Sequence, residues 1–392
     1  MKIGNSNTTM RLIKIEAWEV SVPLLQEWAS SPEFGEHGSR EDGRLVLALH
    51  DEHGGIGWGE GKAISRTLVE QAAARLLKEG LSASRLCQVD LFPADELYWS
   101  RPASPSPFAP CPENLRHRLR HPMQNVIEMA WTDLRARRLG IPVADLLGGA
   151  WRDWVETDYW MGRVTPEQAR RCVRRARELG FLGIKLKTTL EDPNLERLEA
   201  IQEESTFPVT VDSNGRFYRL ADALPTLRRM DAVGNMAILE DPFPRFHLQE
   251  FAELRQHLQA RVVVHVDPAE SLWSVLRSGA ADGLNLDSKE VGLFQWRVLA
   301  GTAEQANLSI WHGSGLDLGI ATAAQLHLAA SAPNCRLPGD QAGPWLREHS
   351  LLSEPFEICD GKIRVPIGPG LGIEPDSEAL DRYAHWNQVV HA

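Results

Sequence analysis

No run of about 18 apolar residues occurs in this 392-residue chain, so no membrane-spanning helix is expected. Cysteine is sparse: Cys87, Cys111, Cys172, Cys335 and Cys359 are five in number, scattered, and without a CxxC pair. That argues against a disulfide framework or a zinc site and fits reduced thiols in the cytoplasm. Positive charge is the minority sign, with 42 Lys and Arg against 53 Asp and Glu and a net charge of -11. A nucleic-acid partner would require a basic surface, so none is expected. Met1–Met10 is polar and lacks the apolar core of a signal peptide; it reads as a disordered tail. Also missing are a GxGxxG opening a helix, a GxSxG elbow and an HExxH pair.

What is present is length and pattern. At 392 residues, 43% of them hydrophobic, the chain has room for a barrel and a second, smaller domain. Residues 11–60 read as a three-stranded antiparallel meander: RLIKIEAWEVSV, RLVLALHDEHG and GIGWGEG. A long polar loop of residues 24–43 separates the first two strands, a length typical of lids and binding loops. Two helical stretches follow, residues 65–80 and 121–140, each ending in Gly and separated by the Pro-rich RPASPSPFAPCPE. From about residue 155, short apolar strands alternate with amphipathic helices such as TPEQARRCVRRARELG, the signature of a parallel sheet.

Six polar residues close successive apolar runs in this second half: Lys187, Asp212, Glu240, Asp267, Asp287 and His312. Their spacing suits one βα unit each, and in a (β/α)₈ barrel such strand ends converge on one mouth. Lys185 and Lys187 lie two apart on one strand and so face the same side, where an unpaired ammonium is costly. They read as a base whose pKa is lowered by its like-charged neighbour. Asp212 and Glu240, with a third carboxylate, suit a hard divalent cation, Mg²⁺. On the fifth strand three candidates stay open. Asp267 and Glu270 share a capping-box pattern in DPAE, so either can be helix chemistry, and His265 stands beside them. Asp287 and His312 on neighbouring strands read as an Asp-oriented imidazole.

GIGWGEG, AWTDLRARRLGIPVADLLGG, the KxK of GIKLKT, VDSNG, LEDPFP, the EVGLFQ turn and VPIGPGLGIEPD occur in this order from about residue 11 to near the end. In this the chain resembles the mandelate racemase/muconate lactonizing enzyme family of the enolase superfamily. The resemblance implies an α/β fold: a modified (β/α)₇β TIM barrel under an α+β N-terminal capping domain. The expected divisions are a tail of residues 1–10, the cap at 11–145, the barrel at 146–355 and a segment, 356–392, returning to the cap. It implies Mg²⁺ held by Asp212, Glu240 and Asp267, and a metal-stabilised enolate formed by removing the proton α to a substrate carboxylate. Lys187 matches the family's second-strand base, and Lys185, Asn214 and Asp340 are candidate substrate contacts. Lactonizing and dipeptide-epimerase relatives place a lysine at the end of strand six, where this chain has Asp287. With His312, that resembles the Asp–His pair of the racemase and acid-sugar dehydratase subgroups. The expectation is therefore a lyase that dehydrates an acid sugar, with Lys187 or His312 as base, and a racemase or cycloisomerase as the alternative. A small carboxylate substrate and a homo-oligomer complete the expectation.

Overall fold

The structure, a computed structural model, describes residues 10–25, 31–34, 43–81, 122–266 and 269–392. Most of the long loop between the first strands, the Pro-rich break, Cys87, Cys111 and Asp267 lie outside these residues.

The N-terminal meander is β1 (Leu12–Val20), β2 (Arg44–Asp51) and β3 (Ile56–Lys62), all antiparallel. The last strand of the chain, β14 (Ala384–His391), pairs antiparallel with β1 and gives the order β14-β1-β2-β3. Two helices accompany this sheet, α1 (Arg66–Glu79) and α2 (Pro122–Leu139). The GIGWGEG motif has a steric reason. A Cβ at Gly57 or Gly59 would overlap the carbonyls of Ala130 and Val126, so only glycine lets α2 lie directly on β3.

The barrel consists of β5 (Tyr159–Met161), β6 (Ile184–Lys187), β7 (Val209–Asp212), β8 (Met236–Glu240), β9 (Arg261–Val266), β10 (Gly283–Leu286) and β11 (Ser309–His312). They form one parallel seven-stranded sheet in sequence order, while β4 (Trp154–Glu156), β12 (Ile358–Cys359) and β13 (Lys362–Arg364) make a separate three-stranded sheet. The remaining side of the ring is filled by an extended segment, residues 335–341. Leu337 N–H donates to Ile310 O beside β11, and Asp158 N–H beside β5 donates to Gly339 O. The helices α3 (Pro166–Glu178), α4 (Asn194–Glu204), α5 (Leu220–Val233), α6 (Leu248–Leu254), α7 (Ala269–Ser278), α8 (Ser288–Val291), α9 (Leu293–Gln305) and α10 (Gly319–Ser331) follow the strands. For α3 the local code is complete. Thr165 and Gln168 form a reciprocal capping box, Pro166 opens the first turn, and Ala169, Cys172, Val173 and Ala176 make the buried face.

Ile238, Val263, Trp311 and Leu337 pack together as a plug inside the ring. Because strand side chains alternate, these four identify which face of β8, β9 and β11 looks inward. Cap and barrel are joined by buried charge. Glu60 of β3 accepts from Leu318 N–H (2.7 Å) and Ala321 N–H (2.8 Å) at the start of α10. Arg44 of β2 reaches Asp317 at 2.6 Å. Among the described residues no helix is long and apolar enough to cross a membrane.

Candidate active site

Lys185 and Lys187 project to the same side of β6, and the register places Lys187 beside Asp212 and Asp212 beside Glu240. Lys185 is almost fully buried, with Nζ 2.7 Å from Glu240, 3.0 Å from Asp340 and 3.4 Å from Asp212. Burial alone would lower its pKa, but Asp340, Glu240 and Asp212 outweigh that and raise it well above the ordinary lysine value. The expectation of a depressed lysine pKa therefore fails for Lys185: the nearest charges are carboxylates, not the neighbouring ammonium. Lys185 is a permanent cation, and Asp340 is its counter-ion.

Lys187 stands one layer nearer the mouth, with its side chain 24% exposed. Its Nζ reaches Asp212 Oδ2 at 2.5 Å and Asn214 Oδ1 at 3.0 Å. Asn214 adopts φ 50°, a left-handed conformation, and its own N–H donates to Asp212 Oδ1 at 2.9 Å. It thus orients Lys187 and Asp212 together. Burial pushes the Asp212 pKa up, but Lys187 and Lys185 override it and hold Asp212 ionised. For Glu240, burial and the charge of Asp212 raise the pKa.

Around the ring, His265 and Asn285 come next, paired in register on β9 and β10. Asn285 Nδ2 donates to Glu240 Oε1 at 2.6 Å and lies 3.4 Å from His265 Nδ1. Asn285 was not anticipated from the sequence. The signal was there: GLNLD carries polar residues two apart in an apolar strand, as KLK does. Of the three fifth-strand candidates, His265 is described and adjoins Glu240. Asp267 and the Glu270 side chain lie outside the described residues.

The far side of the ring departs from expectation. Register pairs Asn285 with Trp311 and Leu286 with His312. Trp311 faces the interior, its ring 5.5 Å from Lys185 Nζ, so His312, the next residue, points the other way. There it stacks on Trp296 of α9, with ring centroids 5.2 Å apart. Nδ1–H donates to Gly313 O at 2.5 Å, and Nε2 lies 2.9 Å from Ser288 Oγ. Burial lowers the His312 pKa, so the ring is neutral at pH 7. Asp287 does not orient this imidazole. It N-caps α8, accepts from Lys289 N–H at 2.9 Å and forms an ion pair with Lys289 Nζ. Burial lowers the Lys289 pKa, but Asp287 and Glu290 outweigh it and keep the ammonium charged. The Asp287–His312 pair is corrected on both counts: strand alternation turns the histidine away, and a nearer cation takes the aspartate.

The family model for the enolase C-terminal domain-like fold matches residues 167–379. The N-succinylamino acid racemase of Thermus thermophilus is 32% identical over 97% of this chain and 100% of its own length. Muconate cycloisomerase 1 of Rhodococcus opacus is 31% identical over 65% of this chain and 70% of its own. Among solved structures, an N-succinyl Arg/Lys racemase from Bacillus cereus superposes with a TM-score of 0.77 at 19% identity. It covers 97% of this chain and 100% of that one. A 2-chloromuconate cycloisomerase from Rhodococcus opacus gives a TM-score of 0.75 at 21% identity, over 96% of this chain and 100% of its own. These relatives are racemases and cycloisomerases; they lend the acid-sugar dehydratase expectation no support.

Proposed function

This chain belongs to the mandelate racemase/muconate lactonizing enzyme family of the enolase superfamily, and we propose that it is a one-base isomerase of small carboxylates, of the cycloisomerase type. The observation that carries the reading is the one-sidedness of the mouth. Lys187 is partly exposed to the mouth on the β6 side. On the β10 side Lys289 is held as an ammonium, and on β11 His312 faces the helices. A racemase needs two groups that trade a proton across opposite faces, each able to act as base. A cycloisomerase of this kind needs one.

Asp212 and Glu240 fit a hard divalent cation, Mg²⁺ on the resemblance, because they are buried, adjacent and purely oxygen-donating, and Glu240 is destabilised as an anion by Asp212. When bound, such a cation would neutralise the substrate carboxylate and the charge that develops on it. The chain's own residues do the rest. Lys187 Nζ takes the proton α to the carboxylate of a lactone, and the C–H electron pair becomes the enolate. The enolate expels the ring carboxylate as the C–O bond breaks and the C=C bond forms. In the reverse direction that carboxylate adds to the C=C bond and the same ammonium returns the proton to the same face. Lys185, fixed as a cation, opposes the negative charge that accumulates. Asn214 and Asp212 hold Lys187 in position.

The test is turnover in D₂O with muconate-type lactones and with N-succinylamino acids. Deuterium entering one face only, without inversion of an α-centre, is the expected result. Equal exchange from both antipodes of an N-succinylamino acid would sink the one-base reading in favour of racemisation. The full-length similarity to the Thermus racemase makes that the second reading.

A further inference from the structure

Besides the joint at Glu60 and Arg44, the cap meets the barrel on the β6 side, where Lys187 stands. The contact is the short turn Pro32–Phe34 with the buried Ser31 before it. Ser31 N–H donates to Arg163 O at 2.7 Å, just past β5, and Arg163 Nη1 donates back to Phe34 O at 3.1 Å. Between these bonds the Phe34 ring meets two guanidinium groups, with Arg197 Cζ of α4 4.6 Å from the ring centroid and Arg163 Cζ 5.4 Å from it. A cation over an aromatic face is attracted by the ring quadrupole, most strongly where water is excluded. Arg197 is fully buried, and among the described residues its Nε and Nη2 have no hydrogen-bond acceptor. Burying such groups is costly, and the Phe34 face offsets that cost. The two arginines share one carboxylate. Asp192 accepts from Arg163 Nε at 2.9 Å and Nη2 at 2.5 Å, and from Arg197 Nη1 at 3.1 Å. The same Arg197 Nη1 lies 3.3 Å from Thr188 Oγ1 and 3.4 Å from Lys187 O, at the end of β6. Asp192 also accepts from Thr189 N–H at 3.0 Å, and Thr188 N–H donates to Asp212 O at 3.1 Å. One connected set of contacts therefore runs from an aromatic ring of the cap to the backbone that carries Lys187.

We infer that Phe34 is a positioning residue for Lys187: its seat on Arg163 and Arg197 fixes the backbone of residues 187–192, and with it the place of the Lys187 ammonium beside Asp212. The role of Lys187 as base rests on the proposed reaction; the coupling of Phe34 to that backbone does not. Leucine at position 34 keeps apolar bulk but leaves Arg197 against a surface with no π face, whereas tyrosine keeps the face. A base that is slightly misplaced loses turnover while the substrate still binds. Phe34 is partly exposed and belongs to neither hydrophobic core, so neither replacement removes core packing.

The experiment compares the full-length native protein with Phe34→Leu and Phe34→Tyr, by amide hydrogen exchange and by steady-state kinetics. In Phe34→Leu, exchange should rise about tenfold or more both in residues 31–34 and in residues 188–192, with β9 and β10 exchanging as in the native protein. In Phe34→Tyr both segments should keep native exchange. On the carboxylate that the native protein turns over, Phe34→Leu should lower kcat about tenfold or more with KM changed less than about threefold, and Phe34→Tyr should restore kcat. A rise confined to residues 31–34 overturns the inference. So does a Phe34→Leu variant with native kcat, or a Phe34→Tyr variant as impaired as Phe34→Leu. Coupled exchange in a protein that turns over none of the tested carboxylates upholds the seat and overturns only the reaction assigned to Lys187.

Discussion

The two sides of the barrel mouth are built on opposite electrostatic plans. On β6 to β8, two lysines and the carboxylates Asp212 and Glu240 face one another across adjacent strand ends, with Asp340 behind them, all sharing partners. On β10 and β11 the charges are closed off in pairs or turned away: Asp287 on Lys289, and His312 against Trp296. On the proposed reading the shared side exchanges a proton with a guest, since Lys187 has access to the mouth and a network to absorb its charge. On that reading the closed side does not, since Lys289 is paired with Asp287 alone of the strand-end carboxylates and His312 is turned outside the ring. Similar residue types at equivalent strand ends therefore give a face of shared charges and a face of closed pairs.

The largest expected effect comes from removing the base. Lys187→Ala should lower kcat by about a thousandfold or more, measured on whichever carboxylate the native protein turns over. His312→Asn should change kcat by less than about threefold. A His312 variant as damaged as the Lys187 variant would reverse the comparison between the two sides.

Asp287→Asn sharpens it. Asparagine keeps the N-cap of α8 but removes the charge that holds Lys289 protonated, so the Lys289 pKa should fall. Exchange of the α-proton from the second face should then appear or rise, read by proton NMR in D₂O. An unchanged exchange pattern would mean that Lys289 has no access to the substrate, whatever its charge.

His312→Asn should act on stability instead. Loss of the buried ring stacked on Trp296 should cost about 1–3 kcal/mol in denaturant unfolding. Because burial depresses the folded-state pKa of His312, the native protein loses stability as pH falls from the ordinary imidazole value through that lower one, and the variant should lack this increment.

The last effect, on pH dependence rather than turnover, belongs to the joint between cap and barrel. Burial, with the charge of Asp317 adding to it, pushes Glu60 up to about 7, above its ordinary 4.5. A raised carboxyl contributes stability below the unfolded pKa and loses it as pH rises through the folded one, here between about 4.5 and 7. Glu60→Gln should flatten that part of the pH–stability curve. A curve that keeps the native slope would assign it to another buried acid.

The strand ends were legible because each apolar run stops at a polar residue with one βα unit between stops, a spacing that local composition records directly. Lys187, Asp212 and Glu240 were found this way, and so was the antiparallel meander with GIGWGEG as its third strand. His312 was misread because a run of four residues does not declare its inward face: Trp311 and His312 are both plausible as the last inward residue until one of them meets the interior plug. Asn285 escaped because a single amide in GLNLD carries no charge to flag it. The pairing of Asp287 with Lys289 was hidden by a short helix that brings residues two apart into contact, a contact that strand periodicity does not express.

By itself, then, the sequence determined the βα rhythm, the kinds of charge at each strand end and the glycines that let α2 press on β3, since these depend on residue type and local spacing. Tertiary structure alone decided which of those charges share a space. Inward and outward on a strand differ by one residue, and only pairing with neighbouring strands around a closed ring makes that choice. The same closure sets Lys185 among three carboxylates, reversing the sign of its expected pKa shift, because electrostatic energy follows distance in space and not separation along the chain.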